Sequence, residues 1–175
     1  SSEYHRELDL RYGLNHRSVT WQGENGKRIK VEVEIFASYD NVHIVPMRIT
    51  IHALESMEVN LQAGIDGQIW SLKGEHFKTY EPFEDSGLLG IETRTHEFDI
   101  QVDVVCGLKV TGAEPAEENT IKQNRNIIKE FIFQLEAGES FALEQTMVVY
   151  HSNDVSDPRQ TALDEAFRAM DSGFN

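Results

Sequence analysis

The sequence predicts a mostly β protein built from antiparallel strands, with one amphipathic helix at its C-terminal end. In the central stretch 27–54, apolar residues occupy every second position from 29 to 35 and again from 45 to 53, on either side of a turn at 39–41. A strand repeats every two residues and a helix every 3.6, so each apolar set shares one face only if the segment is a strand. The period changes only at 158–170, where apolar residues recur at steps of three and four.

Further strands are predicted on both sides of the central pair. Leu8, Leu10 and Tyr12 alternate with polar residues, and the turn residues of 22–26 join a strand at 18–21 to the one that opens near Arg28. The same alternation predicts strands at 57–63, 91–95, 98–104 with a continuation through 108–110, 131–135 and 141–150. The total is roughly nine or ten strands, at a spacing typical of a sandwich or barrel.

Three segments interrupt this pattern. Gly64-Ile65-Asp66-Gly67 predicts a tight corner at which backbone approaches backbone, without the basic residue or helix signal of a phosphate loop. Residues 70–90 are the least regular, and their aromatic content is typical of a cover or a lining. Gly112 to Asn119 is predicted to be a solvated acidic loop.

The C-terminal helix has recognisable ends. Asp157 is a good N-cap, Pro158 suits the first helical position and Gly173 is a plausible stop. The apolar stripe is expected to cover the sheet or to meet something beyond Asn175; it consists of Ala162, Leu163, Ala166, Phe167 and Met170.

Composition limits the function. The chain has 175 residues, enough for one well-buried core, and its 30 Asp and Glu against 16 Lys and Arg give a formal net charge of −14. Such a balance repels phosphate backbones and anionic membranes, so neither nucleic acid nor a membrane is an expected partner. No apolar run approaches the roughly 20 residues that cross a bilayer, and no leader segment opens the chain. The lone Cys106 is predicted to be a buried small hydrophobe and, with the missing leader, it favours a cytoplasmic location.

The chemistry-bearing residues form no recognisable active site. No two of the seven histidines have the close spacing of a zinc pair, and neither a nucleophile motif nor a nucleotide loop is present. The sequence therefore predicts no catalytic residue, no metal site and no cofactor. The two strand pairs of carboxylates, Glu32 with Glu34 and Asp99 with Asp103, are interpreted as solvated surface. His43 and His52 are predicted to lie on strands, and His5, His16, His76 and His96 near turns.

A family resemblance goes further than these residues. The stretches LDLRYGLNHRSVTW at 8–21, KRIKVEVEIFASYDNVHIVPMRITI at 27–51 and LQAGIDGQI at 61–69 stand in an order that resembles the N-terminal β-sandwich of glycoside hydrolase family 65. HFKTYE at 76–81 and GIETRTHE at 90–97 are similar to the family in place and character. The family includes the maltose, trehalose and kojibiose phosphorylases and the acid trehalases.

The resemblance implies an antiparallel super-sandwich of the galactose-mutarotase type over residues 1–155. Residues 156–175 would begin a helical linker to an (α/α)6 catalytic barrel in the same polypeptide, which holds the general acid and, in phosphorylases, the phosphate site. The parent would act on an α-glucosyl disaccharide with inversion, using inorganic phosphate or water. The present domain would be non-catalytic, supporting the barrel and contacts of a possible homodimer, with Trp70 and His76 as candidates for the rim of the substrate site.

Two other classes of function remain open. One is a free-standing carbohydrate-binding module with Trp21 or Trp70 as its stacking platform. The other is a sugar epimerase of the mutarotase type, which needs a histidine acid and a carboxylate base on a concave sheet.

Overall fold

A computed structural model describes residues 3–68 and 74–174 of the chain. These residues form eleven strands followed by one helix. The strands are β1 (Glu3–Asp9), β2 (Leu14–Gln22), β3 (Arg28–Ile35), β4 (Ile44–Ala53), β5 (Met57–Asp66), β6 (Phe77–Asp85), β7 (Leu88–Thr95), β8 (Gln101–Thr111), β9 (Glu117–Gln123), β10 (Asn126–Leu135) and β11 (Ser140–His151), and the helix is α1 (Pro158–Ser172).

The strands form two sheets, and every pairing in them is antiparallel. The large sheet has eight strands in the order β1-β2-β3-β4-β11-β8-β7-β6, and the small sheet has three in the order β5-β10-β9. The predicted mostly β, two-layer fold with a C-terminal helix is therefore confirmed. The central pair is confirmed as β3 and β4, which pair from Ile29 with Ala53 to Ile35 with Met47.

Two layers of apolar side chains hold the body together. Between the sheets, Ile51 and Ala53 of β4 pack with Phe131 and Phe133 of β10, and Phe133 stacks on Phe141 at 3.7 Å between ring centroids. On the other face of the large sheet, α1 packs against β8 and β11. There the helix buries a second cluster that contains Val105, Val148, Ala162, Leu163 and Ala166. The middle of the large sheet is thus covered on both faces.

The predicted close approach at residues 64–67 is confirmed, although the predicted corner is wrong. Gly64 to Asp66 continue β5 and pair with β10 from Ile128 to Asn126. A Cβ atom on Gly64 would lie 2.3 Å from the carbonyl oxygen of Ile127, and Gly64 has a φ of +153°. Only glycine allows the strand to pass so close to its neighbour.

The irregular segment predicted at 70–90 is in fact mostly sheet. Residues 69–73 lie outside the described part, but β6 and β7 form a hairpin whose two-residue turn, Ser86-Gly87, has positive φ at both positions. That geometry matches the right-handed twist of paired strands. Because β6 is the last strand of the large sheet, it tolerates Pro82, which has no N–H to donate.

Three more boundaries differ from the prediction. The first strand ends at Asp9, so Leu10 and Tyr12 lie in the turn that follows it. Phe98 is not a strand residue: it is 81% exposed and precedes Asp99, whose φ of +55° belongs to the turn that leads into β8. The acidic loop predicted at 112–119 ends early, since β9 begins at Glu117 and pairs with β10. The sequence 117–123 lacks an alternating apolar set because β9 is an edge strand of the small sheet.

The predicted helix is confirmed with both of its ends. The side chain of Asp157 accepts a hydrogen bond from the backbone N–H of Gln160, Pro158 is the first helical residue, and Gly173 caps the C-terminus. The predicted stripe is too wide, because Phe167 is 45% exposed while Leu163 is buried. Within the described part of the chain, no helix is long and apolar enough to cross a membrane.

Candidate functional site

An apolar cavity of about 450 Å³ lies between the two sheets, next to the end of β5. Its walls combine residues of four strands of the large sheet with the close approach at Gly64, and they include Ile65, Tyr80, Ile91, Val104 and Met147. The strands place these side chains by alternation: Val102 and Val104 of β8 both face the cavity, whereas Asp103 between them faces α1. The cavity is therefore formed by the packing of the end of β5 against the large sheet.

His76, one of the two predicted rim residues, lines this cavity just before β6. Its carbonyl oxygen accepts a hydrogen bond of 3.0 Å from the backbone N–H of His96, which joins the start of β6 to the end of β7. Trp70, the other predicted rim residue, lies outside the described residues. The assignment of both to a substrate rim stays a prediction.

Polar groups stand beside the apolar walls. Nη1 of Arg125 donates a hydrogen bond of 2.7 Å to Oε1 of Glu75, and the Arg125 guanidinium lies 4.4 Å from the ring centroid of Tyr80. The hydrogen bond from Arg125 lowers the pKa of Glu75, so this carboxylate is ionised at neutral pH. Asp66, also in the wall, accepts a hydrogen bond from the backbone N–H of Gln68 at 2.9 Å. Apolar walls with a few oriented polar groups beside them are typical of sites that bind small ligands.

The interpretation of Asp103 as solvated surface is wrong. Asp103 is fully buried beneath α1, and burial raises the pKa of its carboxyl to about 6. Its Oδ2 accepts a hydrogen bond of 2.8 Å from Nε2 of Gln101, while its Oδ1 has no hydrogen-bond partner among the described residues. The alternation along β8 does not predict the burial of Asp103, because both faces of this strand are covered and neither faces solvent. Asp99, its predicted companion, lies in a turn and pairs with Lys78 at 2.6 Å.

The carboxylates of β3 lie on the face away from the small sheet and are ion-paired. Glu32 accepts hydrogen bonds from Lys30 and His52, at 2.9 and 2.8 Å. The Lys30 contact is the main cause that lowers the pKa of Glu32. Arg48 stands between Glu34 and Glu144, at 3.8 and 2.8 Å. A carboxyl group with a lowered pKa is a poor general acid, which needs a raised one.

The histidines are distributed over the fold. His16 lies at the start of β2, next to the turn at 10–13 as predicted, whereas His5 lies within β1 and not near a turn. Their rings are 6.4 Å apart. His43 precedes β4 and stacks on Tyr150 at 3.9 Å between ring centroids, and His52 lies on β4 as predicted. Across residues 3–68 and 74–174, no group of three or more His, Cys, Asp or Glu side chains has the geometry of a metal site.

By its fold, the chain is a two-sheet antiparallel β-sandwich domain with a helix packed on its large sheet. A family model described as "Glycosyl hydrolase family 65, N-terminal domain" matches residues 1–175. The chain belongs to this family as its N-terminal domain, and the resemblance seen in the sequence is confirmed.

The relatives of the chain are much longer than the chain. It is 33% identical over 168 residues to a 1,2-alpha-glucosylglycerol phosphorylase of Bacillus selenitireducens, an alignment that covers 95% of this chain and 22% of the relative. It is 27% identical over 164 residues to a kojibiose phosphorylase of Escherichia coli, covering 93% of this chain and 21% of the relative. A solved structure of a putative kojibiose phosphorylase from the human microbiome superposes with a TM-score of 0.83 at 16% identity, covering 99% of this chain and 23% of that one. The chain thus spans about a fifth of the proteins that it resembles.

Proposed function

We propose that the chain is the non-catalytic N-terminal domain of an enzyme that cleaves an α-glucosyl disaccharide or a similar α-glucoside. The observation that carries the proposal is the match of the whole chain to the family's N-terminal domain together with its coverage of only 20% to 26% of the phosphorylase relatives. The greater part of such an enzyme lies outside these 175 residues. Two observations favour a structural role over a catalytic one: the carboxylates of β3 are ion-paired, and Asp103, whose pKa is raised, is buried beneath α1 where no substrate reaches it.

The reaction that we propose for the parent is phosphorolysis with inversion. A general acid in an (α/α)6 barrel of the same polypeptide protonates the leaving oxygen while inorganic phosphate attacks from the opposite face. Phosphorolysis is preferred to hydrolysis because the curated relatives are named as phosphorylases. In this proposal residues 1–155 are the sandwich and 156–175 begin the linker to the barrel. The parent is a homodimer in the cytoplasm, where the lone, buried Cys106 stays reduced.

Within the domain, we assign the rim of the substrate site to the stretch that contains Trp70 and His76. The position of His76 at an apolar cavity with polar groups beside it supports this assignment. An imidazole donates a hydrogen bond to a sugar hydroxyl or accepts one from it, and an indole stacks on the apolar face of the sugar ring.

The test compares the full-length parent with the 175-residue chain. Each is incubated with inorganic phosphate and, separately, maltose, trehalose, kojibiose, nigerose and 1,2-α-glucosylglycerol, and the release of glucose 1-phosphate is measured. The parent is expected to turn over at least one substrate in a phosphate-dependent manner, and the chain alone none. Turnover by the chain alone would contradict the non-catalytic role, and release of free glucose without phosphate would make the parent a hydrolase.

A second candidate function, a carbohydrate-binding module, is favoured by one observation. Trp21 is 55% exposed and stands beside a groove of about 520 Å³ that Ile29, Met57 and Leu61 also line. Titration of the isolated chain with maltose, trehalose and glucose, followed by tryptophan fluorescence, separates the two candidates. A supporting domain gives no saturable change, whereas a binding module does.

A further inference from the structure

The core-facing side of the large sheet continues well past the small sheet. Residues directly opposite each other in an antiparallel ladder share a face, and the register aligns Tyr4, Val19, Val31 and Ile51 across β1 to β4. Ile51 is buried in the core between the sheets, whereas Tyr4 is 60% exposed. The face that forms the core at β4 therefore reaches the edge strand β1 without cover.

We call the core-side positions of the first hairpin the hairpin inner face: Tyr4, Arg6 and Leu8 of β1 with Asn15, Arg17, Val19 and Trp21 of β2. Leu8 and Trp21 are 56% and 55% exposed, so apolar side chains stand in solvent on the side that elsewhere makes the core. The opposite side of the same hairpin is polar and carries His5, Glu7 and His16. This asymmetry is typical of a sheet face that packs against something.

Two arginines lie in the middle of the hairpin inner face. Arg6 and Arg17 are direct cross-strand partners, and neither has a carboxylate within ion-pair distance in the described part of the chain. Like charges placed directly opposite destabilise an isolated sheet. The chain has 30 carboxylate residues, yet none of the core-side positions of β1 and β2 is acidic. The face thus offers two unpaired cations among apolar side chains, which complements a surface with carboxylates in an apolar setting.

We propose that the hairpin inner face is the docking surface for the remainder of the same polypeptide, at a patch where that remainder presents Asp or Glu side chains among apolar ones. This inference rests on the proposed function, which supplies the longer polypeptide. A second copy of the chain fits less well in a two-fold dimer whose axis passes through this face, because the face would then meet itself. Four guanidinium groups would be brought together without a carboxylate, and burying unpaired charges is costly.

The first test is hydroxyl-radical footprinting read by mass spectrometry, on the isolated chain and on the full-length parent. In the chain alone, Tyr4, Leu8 and Trp21 are expected to be oxidised readily. In the parent, their oxidation is expected to fall by roughly fivefold or more, since a packed interface excludes water. Equal oxidation in both proteins overturns the proposal. Protection in the isolated chain that grows with its concentration also overturns it, because a second copy is then the occupant.

The second test reverses the charge of the two arginines. Arg6→Glu with Arg17→Glu is expected to lower the thermal midpoint of the parent by about 4 °C or more, because carboxylates would face carboxylates across the interface. In the isolated chain the variant replaces two facing positive charges by two facing negative charges. The thermal midpoint of the chain is therefore expected to change by about 1 °C or less.

The matched control is Glu7→Lys, on the same strand but on the opposite face. It is expected to have the same small effect in both proteins, and equal effects of the arginine variants in parent and chain contradict the proposal. Neither test needs turnover. A parent that shows the footprint without phosphorolysis would therefore refute the proposed reaction and leave the docking surface standing.

Discussion

At the scale of single residues, the buried carboxyl of Asp103 links sequence, packing and pH. It lies on β8 directly opposite Glu92 of β7, and Arg159 and Asp157 at the start of α1 face it from the helix. Loss of hydration is the main cause that raises its pKa, and the charges of Glu92 and Asp157 act in the same direction. The hydrogen bond from Gln101 and the charge of Arg159 lower it, and the net pKa is about 6. The fold thus holds one carboxylate in a setting that favours its neutral form.

The first prediction concerns the variant Asp103→Asn. Because the pKa of Asp103 is raised from 3.8 to about 6, the cost of its ionised form is fully present above pH 6 and disappears as the pH falls toward 4. A shift of about two pKa units corresponds to about 3 kcal/mol. The difference in unfolding free energy between variant and wild type is therefore expected to move in favour of the variant by about 2–3 kcal/mol between pH 4 and pH 7.5. Urea titrations at the two pH values measure it.

Asp99→Asn is the control with the opposite sign. The hydrogen bond from Lys78 lowers the pKa of Asp99, so this group stabilises the fold at neutral pH and loses that contribution as the pH falls. That contribution is lost only below the ordinary pKa of 3.8, so the variant is expected to lose stability at pH 7.5 relative to pH 2.5, with little difference between pH 7.5 and pH 4. If both variants showed the same pH dependence, the buried setting of Asp103 would not be its cause.

At the scale of elements, the sequence predicts the strands and the helix that have one apolar and one polar face. β3 and β4 alternate cleanly, and α1 has an N-cap, a proline and a terminal glycine that each report its ends. β6 and β9 escape prediction because they are edge strands with mostly exposed side chains, so no apolar period marks them. Pro82 also predicts that no strand passes through this position, because proline is tolerated within a strand only at the edge of a sheet.

The candidate site was predictable only in part, for a related reason. The aromatic character of 76–83 indicates a lining, and His76, Phe77 and Tyr80 do line the cavity. The buried state of Asp103 depends on α1, which follows more than fifty residues later and covers that face of β8. Such a long-range contact is invisible to the local alternation of a strand.

The second prediction tests how α1 belongs to the body. Leu163 is 5% exposed in the cluster beneath the helix, so Leu163→Ala is expected to lower the unfolding free energy by about 2–4 kcal/mol. Phe167→Ala, on the exposed side of the same helix, is expected to cost less than about 1 kcal/mol. Urea unfolding followed by circular dichroism measures both. If Leu163→Ala left the transition of the sheets unchanged, the helix would be an appendage and not part of one cooperative unit.

At the scale of the whole molecule, the strands β8 and β11 of the large sheet contribute side chains both to the core between the sheets and to the cluster beneath α1. β11 pairs with β4 and β8, contributes Phe141 and Leu143 to the core between the sheets, and contributes Val148 to the cluster beneath α1. Opening either layer therefore exposes apolar residues of the same strand. This arrangement favours a single cooperative unfolding transition.

Cys106 offers a direct readout of that cooperativity. Its side chain is fully buried in the cluster that contains Leu89 and Ile127, and burial raises the pKa of the thiol to about 12. Only an exposed thiolate reacts with an aromatic disulfide reagent, so labelling requires the sheets to separate. The labelling rate of native protein is expected to rise with urea in parallel with the equilibrium unfolding curve, and Leu163→Ala is expected to accelerate it although residue 163 belongs to the other cluster.

A Tyr39→Cys, Cys106→Ala variant, with its thiol at a fully exposed position, should label at once and independently of urea. Fast labelling of Cys106 without urea, or a rate unaffected by Leu163→Ala, would mean that the two layers open separately.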